Sequence, residues 1–166
     1  MGINTLSQKL IRHMEEEIAL LDSFAKIEES VRLYIRESDW ENLNAALLEI
    51  EPVSVGIEKA EEQRGAVYTE LREALGEPAQ AGFYQVAVRL DSDKREQLSA
   101  LYRTLKLSVI KIQGITWSID AHVRAVGNTI SQVLDELFPH RKGKIYGNTG
   151  ESRAADSGPI LINQSL

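Results

Sequence analysis

Twelve positions near the C-terminal end of the chain alternate in spacing of four and three without a slip. They are Leu98, Tyr102, Leu105, Val109, Ile112, Thr116, Ile119, Val123, Val126, Ile130, Val133 and Leu137. Only Thr116 is polar, and its methyl group packs acceptably. Such a run keeps one helix face apolar for nearly six heptads, which is the signature of a coiled coil. The spacing predicts one helix over about Asp93–Phe138, roughly 65–70 Å long at about 1.5 Å per residue. A helix of that length does not fit a compact globule, so the expected molecule is elongated.

The upstream chain supplies its partners. Leu6, Leu10, Met14, Ile18, Leu21, Phe24, Val31 and Ile35 recur mostly three or four apart, predicting a helix over about Thr5–Ile35, with Thr5 or Asn4 as its cap. A second helix opens at Ser38-Asp39-Trp40-Glu41. There Ser38 and Glu41 have capping-box spacing, and Asp39 is the alternative cap. Its seam reads Leu43, Leu47, Ile50, Ile57, Tyr68, Leu71 and Leu75, with Ser54, Glu61 and Arg64 making a polar middle. Pro52 lies inside it, so a kink or break is expected near Glu51. Gly76 and Pro78 end this helix, and Phe83–Leu90 is a candidate short helix. The fold class expected is all-α: an elongated antiparallel bundle or coiled coil of three long helices. Residues 1–138 make the helical domain and 139–166, rich in Gly, Ser, Asn and Pro, a flexible C-terminal tail.

Several function classes find no support. There is no cysteine, which removes disulfides, thiolate zinc sites and cysteine nucleophiles, and which suits a reducing cytoplasm. The charge is uneven. Residues 1–82 hold 8 Lys/Arg against 17 Asp/Glu, and this acidic half argues against nucleic acid as a partner. No stretch of about 18 uncharged apolar residues exists, so no membrane insertion is expected. His13 and Glu17 stand four apart but have no evident third metal ligand. His122 flanks the heptad seam and lacks the Lys-Gly pair that follows the histidine of phosphotransfer domains. The glycine-rich Gly143–Gly150 has neither the Gly-Lys-Ser/Thr nor the preceding strand of a phosphate loop. No enzyme activity, cofactor or metal is expected.

The long helix carries apolar residues that its seam does not use. Leu107, Ile110, Gly114, Trp117 and Ala121 form a second stripe turned well away from the first. A helix that is apolar on two sides must be covered on two sides. The Phe83–Leu90 element, folding back through Phe83, Val86 and Leu90, is one candidate cover. The first two helices packing on both sides are another. The third is a helix from outside, either a client or a second copy of this chain.

The order of elements resembles the FlgN family of flagellar export chaperones. It comprises a long helix, a turn reading ESDWENL, a second helix carrying EKAEEQR from Glu58 to Arg64, a Gly/Pro loop, a longer coiled-coil helix, and a tail opening KIYGNTGE. The resemblance spans nearly the whole chain. It implies a cytoplasmic protein that binds the hook–filament junction, or hook-associated, subunits through their terminal helices. It also implies delivery of those subunits to the cytoplasmic domain of the flagellar export gate. By the same likeness, the third helix and the start of the tail match the client-binding region, and Tyr146 matches the gate-docking tyrosine. The expected state is a monomer or weak homo-dimer. The apolar Ile160–Leu166 end has no counterpart in the family pattern, and a self-associating coiled-coil scaffold is the competing reading.

Overall fold

The computed structural model describes residues 2–137, together with the backbone of 145–146 and 152–153. Helix α1 spans Ile3–Glu37. Its N-cap is Gly2, which offers no side chain, so the expected cap at Asn4 or Thr5 lies inside the helix instead. Helix α2 spans Trp40–Ala74. The two-residue joint between them divides its labour. Ser38 takes a left-handed conformation with φ 57° and closes α1 through its amide to the Ile35 carbonyl. Asp39 opens α2: its Oδ1 accepts from the Asn42 amide at 3.2 Å and its Oδ2 from the Asn42 side chain at 2.7 Å. The capping oxygen therefore comes from Asp39, and Ser38 belongs to the preceding helix. Helix α2 is continuous through Pro52, so no break occurs there. It ends at Gly76, whose φ of 70° is one that a side-chain-bearing residue adopts only with strain.

Helix α3 is the short element Phe83–Val88, and α4 runs Ser92–Leu137. Asp91 caps α4 by accepting the Lys94 amide at 2.9 Å. The loop before α3 is pinned by buried Glu77, which accepts from Arg89 at 2.6 Å and from Gln85 at 3.1 Å.

The tight joint at Ser38–Asp39 makes α1 and α2 antiparallel neighbours. They pack closely because small residues line the contact. Ala25, Ala46 and Ala60 are buried there, and a Cβ on Gly56 would come within 3.3 Å of Leu20. Three contacts set α4 against α1: Lys94 Nζ to Gln8 Oε1 at 2.6 Å, Lys111 Nζ to Glu29 at 3.2 Å, and Thr116 to Glu28 at 2.7 Å. Gln8, early in α1, meets Lys94, and Glu28 and Glu29, late in α1, meet Thr116 and Lys111, so α4 runs parallel to α1 and antiparallel to α2. The fold is an all-α bundle of three long helices with a short fourth. Its core joins Leu6, Leu10, Ile11, Met14 and Leu21 of α1 to Leu71 of α2 and to Leu98 and Leu105 of α4. Phe83 of α3 stacks on Tyr102 with centroids 4.0 Å apart and faces Tyr68 at 6.1 Å. Burial pushes the Tyr68 hydroxyl above its usual pKa, partly opposed by the Arg72 charge.

Two compact units are distinguished, Met1–Ala121 and His122–Leu166. The second holds the last turns of α4 and a two-residue strand pair: β1, Ile145–Tyr146, lies antiparallel to β2, Ser152–Arg153. Ile145 faces Arg153 and Tyr146 faces Ser152 in the register. The other residues of the tail from Pro139, the Ile160–Leu166 end among them, lie outside the described residues.

The heptad seam of α4 divides in two. Leu98 and Leu105 are buried, and Tyr102 and Ile112 pack against the core. From Val123 onward every seam position is exposed, where the spacing alone predicts continuous burial. Helix length gives the reason. From Gln8 to the end of α1 at Glu37 is 29 residues, and 29 residues beyond Lys94 is Val123. The helix that covers the seam ends where the unbroken exposure begins, although Val109 and Thr116 are exposed earlier in the seam.

Candidate functional site

The stripe Leu107, Ile110, Gly114, Trp117 and Ala121 belongs to the first unit. At about 100° per residue its centre lies nearly opposite the seam, so the helix that packs through Leu98, Leu105 and Ile112 turns the stripe outward. Exposure agrees: Leu107 is 65% exposed, Ile110 61% and Trp117 82%, and Ala121 is exposed as well. Gly114 sits among them, and a Cβ placed on it would meet nothing within 4 Å. No internal contact demands a glycine here. One large apolar side chain alone on a surface is ordinary, but three on one helix face form a strip.

The two internal covers are placed elsewhere. Val86 and Leu90 are buried, and Phe83 stacks on Tyr102, so α3 closes the seam end of α4 rather than the stripe. Helix α1 takes the opposite face through Glu28, Glu29 and Gln8.

Polar groups mark the interface behind the stripe. Glu28 is only 7% exposed. Its Oε1 lies 2.7 Å from the Thr116 hydroxyl, which is also 3.0 Å from the Ile112 carbonyl and has one proton for the two. Its Oε2 has no hydrogen-bond partner. Burial raises the Glu28 pKa above the ordinary 4.5, and the Thr116 hydroxyl works against that rise. The polar middle of α2 is partly explained in the same way. Arg64 donates to Glu17 of α1 in an ion pair whose carboxylate is buried. Glu17 is thereby committed, and His13 pairs with Glu16 at 3.1 Å instead. Among the described residues no group of three or more His, Cys, Asp or Glu could hold a metal ion. No helix among them is long and apolar enough to cross a membrane.

Three apolar features escaped sequence reasoning. Ile115 of α4 is buried although it stands in neither the seam nor the stripe. Trp40, Leu47, Leu48 and Val55 are all exposed on α2, including Leu47, which the spacing assigns to the buried seam. The heptad intervals Trp40–Leu47 and Leu48–Val55 were the signal that could have revealed this outer strip. The exposed seam beyond Val123 is the third. Tyr146 lies on β1, and its side chain is outside the described residues.

Comparison with known proteins gives one positive result. The family model described as FlgN protein matches residues 1–154, which takes in α1 to α4 and Tyr146. No curated protein matches, and neither does any solved structure.

Proposed function

The chain belongs to the FlgN family of flagellar export chaperones, and on that premise we propose that it holds hook-associated subunits in the cytoplasm and delivers them to the type III export gate. The reading is of a binding protein without catalysis. One observation carries it: α4 turns Leu98 and Leu105 of its seam into the core and leaves Leu107, Ile110 and Trp117 outward on the opposite face.

An unassembled subunit has amphipathic terminal helices whose apolar faces await neighbours in the filament. Laying such a helix along Leu107–Ala121 covers both apolar faces at once, the helix-in-groove mode of recognition. From their fractional exposure the three large side chains offer roughly 430 Å² of surface, worth on the order of 10 kcal/mol if wholly covered, before association and ordering costs remove a large share. What remains suits a complex that must form and later release. Gly114 lets an incoming backbone approach closely. Tyr146, beside Arg141, Lys142 and Lys144, is the proposed contact with the cytoplasmic domain of the gate.

The test is Trp117→Glu, assayed against a synthetic C-terminal helix of a hook-associated subunit. Loss of binding with helicity and melting unchanged supports the docking strip. Unfolding, or unchanged affinity, refutes it. Tyr146→Ala should weaken gate binding and leave the client complex intact, and unchanged gate binding would remove that assignment.

A further inference from the structure

The face of α4 that carries the client stripe continues toward the start of the helix with a different chemistry. Arg103 stands four residues before Leu107, and Ser99 and Ser92 stand four and eleven before Arg103. At about 100° per residue these three fall on the stripe's own face, with Arg95 and Lys106 on one flank and Asp93 on the other. Ser92, Arg95, Glu96, Ser99 and Arg103 line a groove of about 500 Å³ together with Tyr84 of α3. Tyr84 is held edge-on against Phe83 and Tyr102, with centroids 5.7 and 5.5 Å away. The side chains of Arg95 and Arg103 are exposed and have no ion-pair or hydrogen-bond partner among the described residues. Lys106 lies over the Tyr102 ring at 4.9 Å. Arg95, Arg103 and Lys106 outweigh Glu96, so the groove is cationic in a chain whose net charge is -6.

We propose that this groove receives the C-terminal end of the client helix, with its terminal carboxylate at Arg103 and Arg95, so that the client runs antiparallel to α4. This rests on the client reading of Leu107–Ala121 and gives the bound helix a direction. Charge selects that direction. The last turn of a helix leaves four carbonyls without amide partners and holds about half a negative charge, to which a terminal carboxylate adds a full one. Antiparallel docking brings that end to the two arginines. Parallel docking brings the positive end of the client helix to the same arginines, where like signs repel.

The donors and the length agree with it. A guanidinium fork matches a planar carboxylate, and the Tyr84 hydroxyl is a further donor on the groove's other element. From Arg103 to Ala121 is 18 residues, about 27 Å of helix. A client helix of about five turns therefore covers the stripe while its end reaches the groove. The apolar stripe alone would accept a helix in either direction, and the arginines remove that ambiguity.

Two synthetic peptides of one hook-associated C-terminal helix, one ending in a free carboxylate and one amidated, test this when titrated onto the full-length protein. Amidation should weaken binding about three- to tenfold at low salt, and added salt should shrink the difference. Against the double variant Arg95→Gln, Arg103→Gln the two peptides should bind alike. Its helix content should be unchanged, because both arginines are exposed. Cross-linking reads the direction, since the chain has no cysteine of its own. Under mild oxidation, Ser99→Cys should form a disulfide with a peptide cysteine in the last turn, and Ala121→Cys with one near the peptide's start. Equal binding of the two peptides to the parent overturns the proposal, as does a preference for the free acid that survives in the double variant, or a cross-linking pattern with the ends exchanged. Where such a result accompanies binding that Trp117→Glu abolishes, the client reading stands and only the end contact falls. If neither peptide binds the parent, both fall.

Discussion

Replacing Arg64 with alanine should destabilise the bundle far more than its partly exposed position suggests. The Glu17 side chain is 6% exposed and that of Arg64 is 24% exposed. Removing the guanidinium leaves a carboxylate inside the α1–α2 contact with no cation. Breaking a buried pair in this way costs about 3–5 kcal/mol, and some water entry at Arg64 lowers that to about 2–4 kcal/mol. The reverse deletion, Glu17→Leu, is milder, about 1 kcal/mol, because the orphaned Arg64 reaches solvent along its stem. Replacing both by leucine should come within about 1 kcal/mol of the parent, since apolar packing substitutes well for a buried ion pair. Urea unfolding followed by circular dichroism measures the parent and the three variants. With a slope of about 1.5–2 kcal/mol per molar, Arg64→Ala should lower the midpoint by about 1–2.7 M. An Arg64→Ala cost below about 1 kcal/mol would refute the reasoning, as would a double variant as unstable as the two singles combined.

Glu28 should make the protein more stable in acid than its other carboxylates would. Its folded pKa is raised above 4.5 by burial, so its contribution is fully present below that value and is lost as pH rises through the folded pKa. Glu28→Gln should therefore raise the melting temperature at pH 7, and the two proteins should converge below pH 4.5, as calorimetry across pH can show. Phe83→Ala, which empties the space between Tyr68 and Tyr102, should cost about 2–4 kcal/mol in urea unfolding and loosen α3 first. Gly114→Leu should leave melting unchanged or slightly higher, because the site is open and leucine favours helix, while it weakens client affinity at least tenfold in a titration.

Much of the fold was legible because its signals are periodic. The α4 seam and the α1 pattern gave helix boundaries within two residues at each end, and Gly76 with Pro78 marked the end of α2. The stripe was legible for the same reason: Leu107, Ile110 and Trp117 share a face that the seam leaves unused. Other features depended on contacts between distant residues. Nothing in the run around Arg64 names Glu17 as its partner, 47 residues away. The polar middle of α2 therefore reads as a broken seam rather than, at Arg64, a satisfied ion pair. The exposure of Val123–Leu137 needed the register of α4 against α1, which only contacts such as Lys94–Gln8 provide. Leu47 fits a buried heptad position by spacing, yet it is exposed with Trp40 and Leu48, and Ala46 takes the buried place beside it. A period finds apolar faces but does not say which of two faces the neighbour takes.

The central claim, that α4 offers Leu107–Ala121 to a foreign helix, has a built-in reporter in Trp117. With Trp40→Phe removing the other tryptophan, Trp117 emission should start at the long wavelength of a water-exposed indole. It should shift to the blue, saturably and at one-to-one stoichiometry, as a C-terminal helix of a hook-associated subunit is added. A complex that forms while Trp117 emission stays at its exposed wavelength would place the client elsewhere and contradict the account.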